Sequence, residues 1–177
     1  MWKNKRGFIF LFSCLCLTIF MVACGNKEGN YVSEIKSMQT YDGYSLEGKL
    51  RLPKKGEVKK LVLFVNGSGP NTYDNKRQIE NVEFNYYDLF AQEFTKRGIA
   101  FYTYNTRGIT LGEEGPLFAD IDEEIYQTYM PSNEVRDVED MIKMLKEDAR
   151  LKDAKVYLLG WSAGTIIAPL VAERANA

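Results

Sequence analysis

Histidine is absent from all 177 residues. No imidazole within the chain can therefore act as a base near neutral pH. Cysteine is scarce: there are three, and Cys14 and Cys16 lie in an apolar segment near the N-terminus. Only Cys24 remains beyond that segment, which excludes an internal disulfide there. The remainder must hold itself together by its core. A surplus of positive charge is lacking too. Lysine and arginine number 23 against 24 acidic residues, and 20 against 24 from Cys24 onward. That balance gives no indication of nucleic-acid binding. There is no internal repeat and no low-complexity segment. The one long uncharged apolar run, Phe8 to Val22, is short for a membrane span.

That run follows Lys3, Lys5 and Arg6, in the order of a signal peptide. It ends in Met21-Val22-Ala23-Cys24. This end resembles a bacterial lipobox, which implies cleavage before Cys24 and acylation of that cysteine. An uncleaved N-terminal anchor is the alternative. Either way the rest of the chain is expected outside the cytoplasm, tethered to the cell membrane. The expected division is a lipoprotein signal peptide over 1–23, a tether with the start of the first strand over 24–37, and one domain over 38–177. Residues 25–34 are polar enough to read as tether.

Beyond the tether the pattern reads β-β-β-α-β-α-β-α. Residues 31–40 and 44–52 alternate, with the turn signal Asp42-Gly43 between them. Leu61 to Val65 is continuously apolar, as a strand buried on both faces would be. The segment 87–97 reads as a helix with Leu89, Phe90 and Phe94 on its inner face. Residues 99–104 are the next strand. Ser132 is the expected cap of a helix that turns Val135, Val138, Met141, Ile142 and Leu145 inward. Residues 155–159 are the last strand. Alternating strands and helices imply an α/β class with parallel strands.

Gly160-Trp161-Ser162-Ala163-Gly164 then stands between that strand and an apolar helix. G-x-S-x-G in this context is the nucleophile-elbow pattern. A tight turn exposes the serine, and glycines let neighbouring backbone approach without a Cβ clash. The helix start places free N–H groups where an oxyanion would form. The plainer alternative is a tight turn in which Ser162 merely caps the helix. Two further loops leave strands at the same end. Asn66-Gly67-Ser68-Gly69-Pro70 can present a backbone N–H toward Ser162. Arg107, in Asn105-Thr106-Arg107-Gly108, could position a carboxylate or brace the loops, and bracing is favoured. Asn66-Gly67-Ser68 also fits a glycosylation sequon, which is discounted for a crevice-facing loop of a bacterial protein. The long connection 110–130 could cap the site, and its acids could favour cationic substrates, but a solvated face is preferred, and their spacing lacks a calcium-loop pattern.

These motifs resemble those of the α/β-hydrolase superfamily. The likeness is to bacterial esterase and peptidase-like members with H-G-S-G-P, D-x-R-G and G-H-S-E-G-G-x-I-A-P patterns. It runs from about Met38 to Ala175 and includes Ile167-Ala168-Pro169, a proline that helix propensity alone disfavours. Asn66 and Trp161 stand where that group often has histidine, and Ala163 replaces an acid. The resemblance implies an α/β-hydrolase-type, mostly parallel sheet with flanking helices, apparently cut short after the elbow helix. It also implies hydrolysis of an ester or peptide through Ser162. The backbone N–H groups of Ala163 and Ser68 would form the oxyanion hole, and Gly160 and Gly164 would be the elbow glycines. No metal or organic cofactor is implied. The order in such enzymes is nucleophile, acid, histidine, with both partners on later strands and loops, which are expected to lie beyond these 177 residues. No lysine is placed by motif near Ser162 to act instead. The expectation is thus a membrane-tethered hydrolase fragment. A non-catalytic surface lipoprotein on the same scaffold, or one half of a two-piece enzyme whose second chain supplies acid and histidine, are the alternatives.

Overall fold

The computed structural model describes residues 31–175. The signal segment 1–23, Cys24 and the tether up to residue 30 lie outside the described residues. In chain order the elements are β1 (Tyr31–Gln39), β2 (Ser45–Pro53), β3 (Lys60–Val65), β4 (Lys76–Ile79), β5 (Val82–Asn85), α1 (Tyr86–Thr95) and β6 (Ile99–Tyr104). There follow β7 (Ile109–Leu111), β8 (Ala119–Ile121), the single turn α2 (Glu123–Tyr126), α3 (Pro131–Glu147), β9 (Lys155–Gly160) and α4 (Gly164–Ala175). Among the described residues no helix is long and apolar enough to cross a membrane.

Five strands form one sheet in the order β1-β2-β6-β3-β9. β1 pairs with β2, and β2 with β6, antiparallel. β3 lies parallel between β6 and β9. The sheet is therefore mixed, with its parallel part at the end that carries the G-x-S-x-G turn. Leu61, Leu63 and Val65 of β3 face one side, against α3 and α4. Val62 and Phe64 face the other, against Tyr87 and Ala91 of α1 and Phe101 of β6. Burial on both faces explains the unbroken apolar run of β3. In α3, Val135, Val138, Met141 and Leu145 are all buried, each worth roughly 1.5–3 kcal/mol relative to exposure.

Three local readings change. β1 starts at Tyr31, as the alternation of 31–40 indicates, and it is the overlapping tether reading of 31–34 that gives way, since these residues pair with Pro53 through Leu50. In α1 the fully buried positions are Tyr87, Ala91 and Thr95, while Leu89 is 59% exposed. Asn85 sets this phase by accepting from the N–H groups of Tyr87 and Asp88, which starts the helix before Tyr87. α3 begins at Pro131 rather than on a Ser132 cap. Proline suits the first helical position because its missing N–H would be unpaired there anyway. The 110–130 connection also holds the small β7–β8 hairpin and α2.

Candidate active site

The parallel strands end together. The β3–β9 register runs to Val65 opposite Gly160, and Trp161 N–H donates to the Val65 carbonyl at 3.1 Å. The loop after β3 and the turn after β9 thus leave the sheet side by side, at the end where open α/β sheets bind ligands. Ser162 is exposed and has φ +51°. A residue with a β-carbon adopts this left-handed region at a cost of roughly 1–2 kcal/mol. Its carbonyl accepts from Thr165 N–H at 3.0 Å and from Thr165 Oγ1 at 2.6 Å, which fixes the turn onto α4.

Both flanking glycines are forced by close approach. A β-carbon on Gly160 would collide with the Gly164 carbonyl, and one on Gly164 with the Val65 carbonyl. Gly67 is pressed against the serine itself: a β-carbon there would lie 3.0 Å from Ser162 Cβ. The N–H groups of Ala163 and Ser68 donate to no acceptor among the described residues. The structure therefore brings Ser162, Ala163 and the Gly67–Ser68 backbone together. The Ser162 hydroxyl likewise has no hydrogen-bond partner among the described residues, so no base stands beside it. No three potential metal-ligating side chains gather among the described residues.

A buried polar chain that the sequence did not reveal holds the Gly67–Ser68 loop. Asn66 is 0% exposed. Its Nδ2 donates to the Tyr104 carbonyl at 3.0 Å, and its Oδ1 accepts from the Tyr87 hydroxyl at 2.7 Å. The Tyr104 hydroxyl accepts from Asn66 N–H at 3.3 Å and donates to Glu134 Oε1 at 2.9 Å. Burial pushes the Glu134 carboxyl above its ordinary range and the Tyr104 hydroxyl well above its own. Asn71 Nδ2 and the Tyr129 hydroxyl both donate to the Gly67 carbonyl, at 2.8 and 3.3 Å. A buried asparagine with its amide engaged is a poor glycan acceptor, in line with discounting the sequon.

Arg107 braces. It is 2% exposed and binds Asp137 of α3 at 2.6 Å and Asp42 of the β1–β2 turn at 2.8 Å. The hydrogen bonds it donates to Asp137 hold its guanidinium further above the ordinary range, and Arg107 in turn holds the Asp42 carboxyl well below its own. These two carboxylates take four of its five N–H groups. The acids Glu113, Glu114, Asp120, Asp122, Glu123 and Glu124 are exposed, as a solvated face would be.

A cavity of about 430 Å³ opens beside Ser162, within the size range of small-molecule sites. Ser68 and the rings of Phe64, Tyr86, Phe90 and Trp161 line it, together with Arg77. Arg77 and Tyr86 were not singled out in the sequence, because no motif marks them. The β4–β5 hairpin and the start of α1 carry them to the site. A second cavity, of about 300 Å³ between Val32, Leu52 and Arg150, lies at the opposite end of the parallel strands.

Comparison with solved structures decides the fold. A cold-adapted esterase from an Arctic intertidal metagenomic library superposes with a TM-score of 0.55 at 19% identity, over 80% of this chain and 55% of that one. Brefeldin A esterase, a bacterial homologue of human hormone-sensitive lipase, gives 0.55 at 14% identity, over 85% and 38% of the two chains. The chain has the α/β-hydrolase fold. No family model matches it. In sequence, the chain is 29% identical over 132 residues to esterase EstD of Thermotoga maritima. That match spans 75% of this chain and 28% of the relative. The chain thus covers little more than a quarter of that curated relative, and about half or less of these solved structures.

Proposed function

We propose that the chain carries the nucleophile and oxyanion hole of a serine ester hydrolase whose acid and histidine come from outside these 177 residues. The carrying observation is Ser162, held at φ +51° beyond β9 and pressed against Gly67. In the reaction, Ser162 Oγ attacks an ester carbonyl while an external histidine takes its proton. The Ala163 and Ser68 N–H groups hold the tetrahedral oxyanion. The intermediate collapses, the histidine protonates the departing alcohol, and water then releases the acid from the acyl-serine. The esterase names among its relatives favour ester over peptide substrates. Bracing by Arg107, the Asn66 chain and the elbow glycines gives the preorganisation such catalysis needs.

The N-terminal segment supports a lipid anchor at Cys24, with the domain on the extracytoplasmic side of a bacterial membrane. A Cys24→Ala variant is expected to lose detergent-phase partitioning or to remain unprocessed. A wild-type protein that is soluble and cleaved elsewhere would refute the anchor. The purified chain is expected to turn over a 4-nitrophenyl ester far below the ordinary enzymatic rate of about 10 per second. Turnover at that ordinary rate, lost in Ser162→Ala, would show that the base lies within the chain.

A further inference from the structure

We infer that the cavity beside Ser162 takes an ester bearing a carboxylate on an apolar body, with Arg77 as the group that recognises the anion. This refines the substrate class of the proposed hydrolase and rests on that reading. Arg77 is the one charged side chain among the residues lining the cavity. Its hydrogen bonds go only to neutral acceptors: Nη1 to the Lys76 and Leu117 carbonyls at 3.0 and 3.3 Å, and Nη2 to Asn71 Oδ1 at 3.1 Å.

The other half-buried and buried cations of this region are neutralised. Arg51 meets Asp74 at 3.1 Å, and Arg107 meets Asp42 and Asp137. Lys76, next in sequence, pairs with Glu83 at 2.6 Å and lies 3.9 Å from the centre of the Phe118 ring. Arg77 has no such carboxylate among the described residues. Arginine carries five N–H donors, so its three bonds leave the Nε–H and one Nη2–H without an acceptor. Either group can donate a charge-assisted hydrogen bond to an incoming carboxylate oxygen.

The same bonds fix the guanidinium in place, so little side-chain freedom is lost on binding. The turn that delivers Arg77 is itself rigid: Asn75 has φ +46°, and its N–H donates to Thr72 Oγ1 at 3.0 Å. One unpaired positive charge fits a singly charged carboxylate better than a doubly charged phosphate. The rings of Phe64, Tyr86, Phe90 and Trp161 supply the apolar surroundings for the rest of the molecule. A half-ester of a dicarboxylic acid has this combination.

Binding tests the inference without relying on turnover. The probes are 4-phenylbutyrate and its neutral amide, titrated by calorimetry into the full chain, into Ser162→Ala, into Arg77→Gln and into Arg77→Lys. The acid is expected to bind wild type and Ser162→Ala at least about tenfold more tightly than the amide, the worth of a charge-assisted hydrogen bond. Arg77→Gln should bring the two within about twofold with amide binding unchanged, and Arg77→Lys should keep part of the preference. Equal binding of acid and amide by wild type, no detectable binding of the acid at millimolar concentration, or a preference that survives Arg77→Gln would overturn the inference. Should Arg77→Gln fail to fold, the wild-type comparison of acid with amide decides alone. Acylation of Ser162 without any carboxylate preference would sink the anion site and leave the hydrolase reading. A carboxylate preference without acylation would do the reverse.

Discussion

Ser162 stores strain that its neighbours hold in place. Its left-handed backbone follows from the close packing of Gly160, Gly164 and Val65, and the turn projects the side chain into solvent. Glycine tolerates that conformation without the β-carbon penalty. Ser162→Gly is therefore expected to raise stability by about 1 kcal/mol, and Ser162→Ala to leave it nearly unchanged. Thermal melts compare them, and equal melting temperatures for Gly and Ala variants would contradict the strain. Glu134 is the other informative single residue. Burial raises its pKa above the ordinary value of 4.5. The folded state then binds that proton more tightly than the unfolded one. Its contribution to stability falls as pH rises from about 4.5 through the raised value. Glu134→Gln keeps an acceptor for Tyr104 and cannot ionise. The variant should match wild type near pH 4 and be at least as stable at pH 8. A variant that loses stability equally at both values would show that the carboxylate itself is needed.

At the scale of elements, the site is a meeting of three loops and their braces. α3 is joined to the β6 loop and to the β1–β2 turn through Arg107, Asp137 and Asp42. Removing one partner of a buried pair strands the other charge, at a cost of about 3–5 kcal/mol. Asp137→Ala is expected to cost about 3 kcal/mol in urea denaturation, because Asp42 still neutralises part of the Arg107 charge. A loss below about 1 kcal/mol would mean that the pair does not brace α3. The elbow, the loop after β3 and the Arg107 loop were legible in the sequence, since each is a short motif next to an apolar strand. The phase of α1 was not, because Asn85, outside the apolar pattern, sets it. The Asn66–Tyr104–Glu134 chain and Arg77 were not legible either. The first joins residues 30 or more positions apart, which only the tertiary fold brings together, and no motif marks Arg77.

Across the whole molecule, β9 is the exposed element. Among the described residues it pairs only with β3, and Tyr157 and Leu159 are 40% and 37% exposed. Ile166 and Leu170 of α4 are 66% and 42% exposed. An open apolar edge templates pairing with other chains. Residues 24–177 with Cys24→Ser are expected to self-associate, and Leu159→Lys to shift them toward monomer in size-exclusion chromatography. A monomer with a sharp cooperative melt would contradict this.

In the proposed function Ser162 is the nucleophile, the N–H groups of Ala163 and Ser68 hold the oxyanion, and the base lies elsewhere. The most direct measurement supplies the base from solution. The chain is incubated with a 4-nitrophenyl ester and added imidazole, and peptide mass spectrometry locates the acyl group. The account predicts acylation on the peptide carrying Ser162, dependent on imidazole and absent in Ser162→Ala. Acyl groups scattered over surface lysines, with none on Ser162, would contradict it.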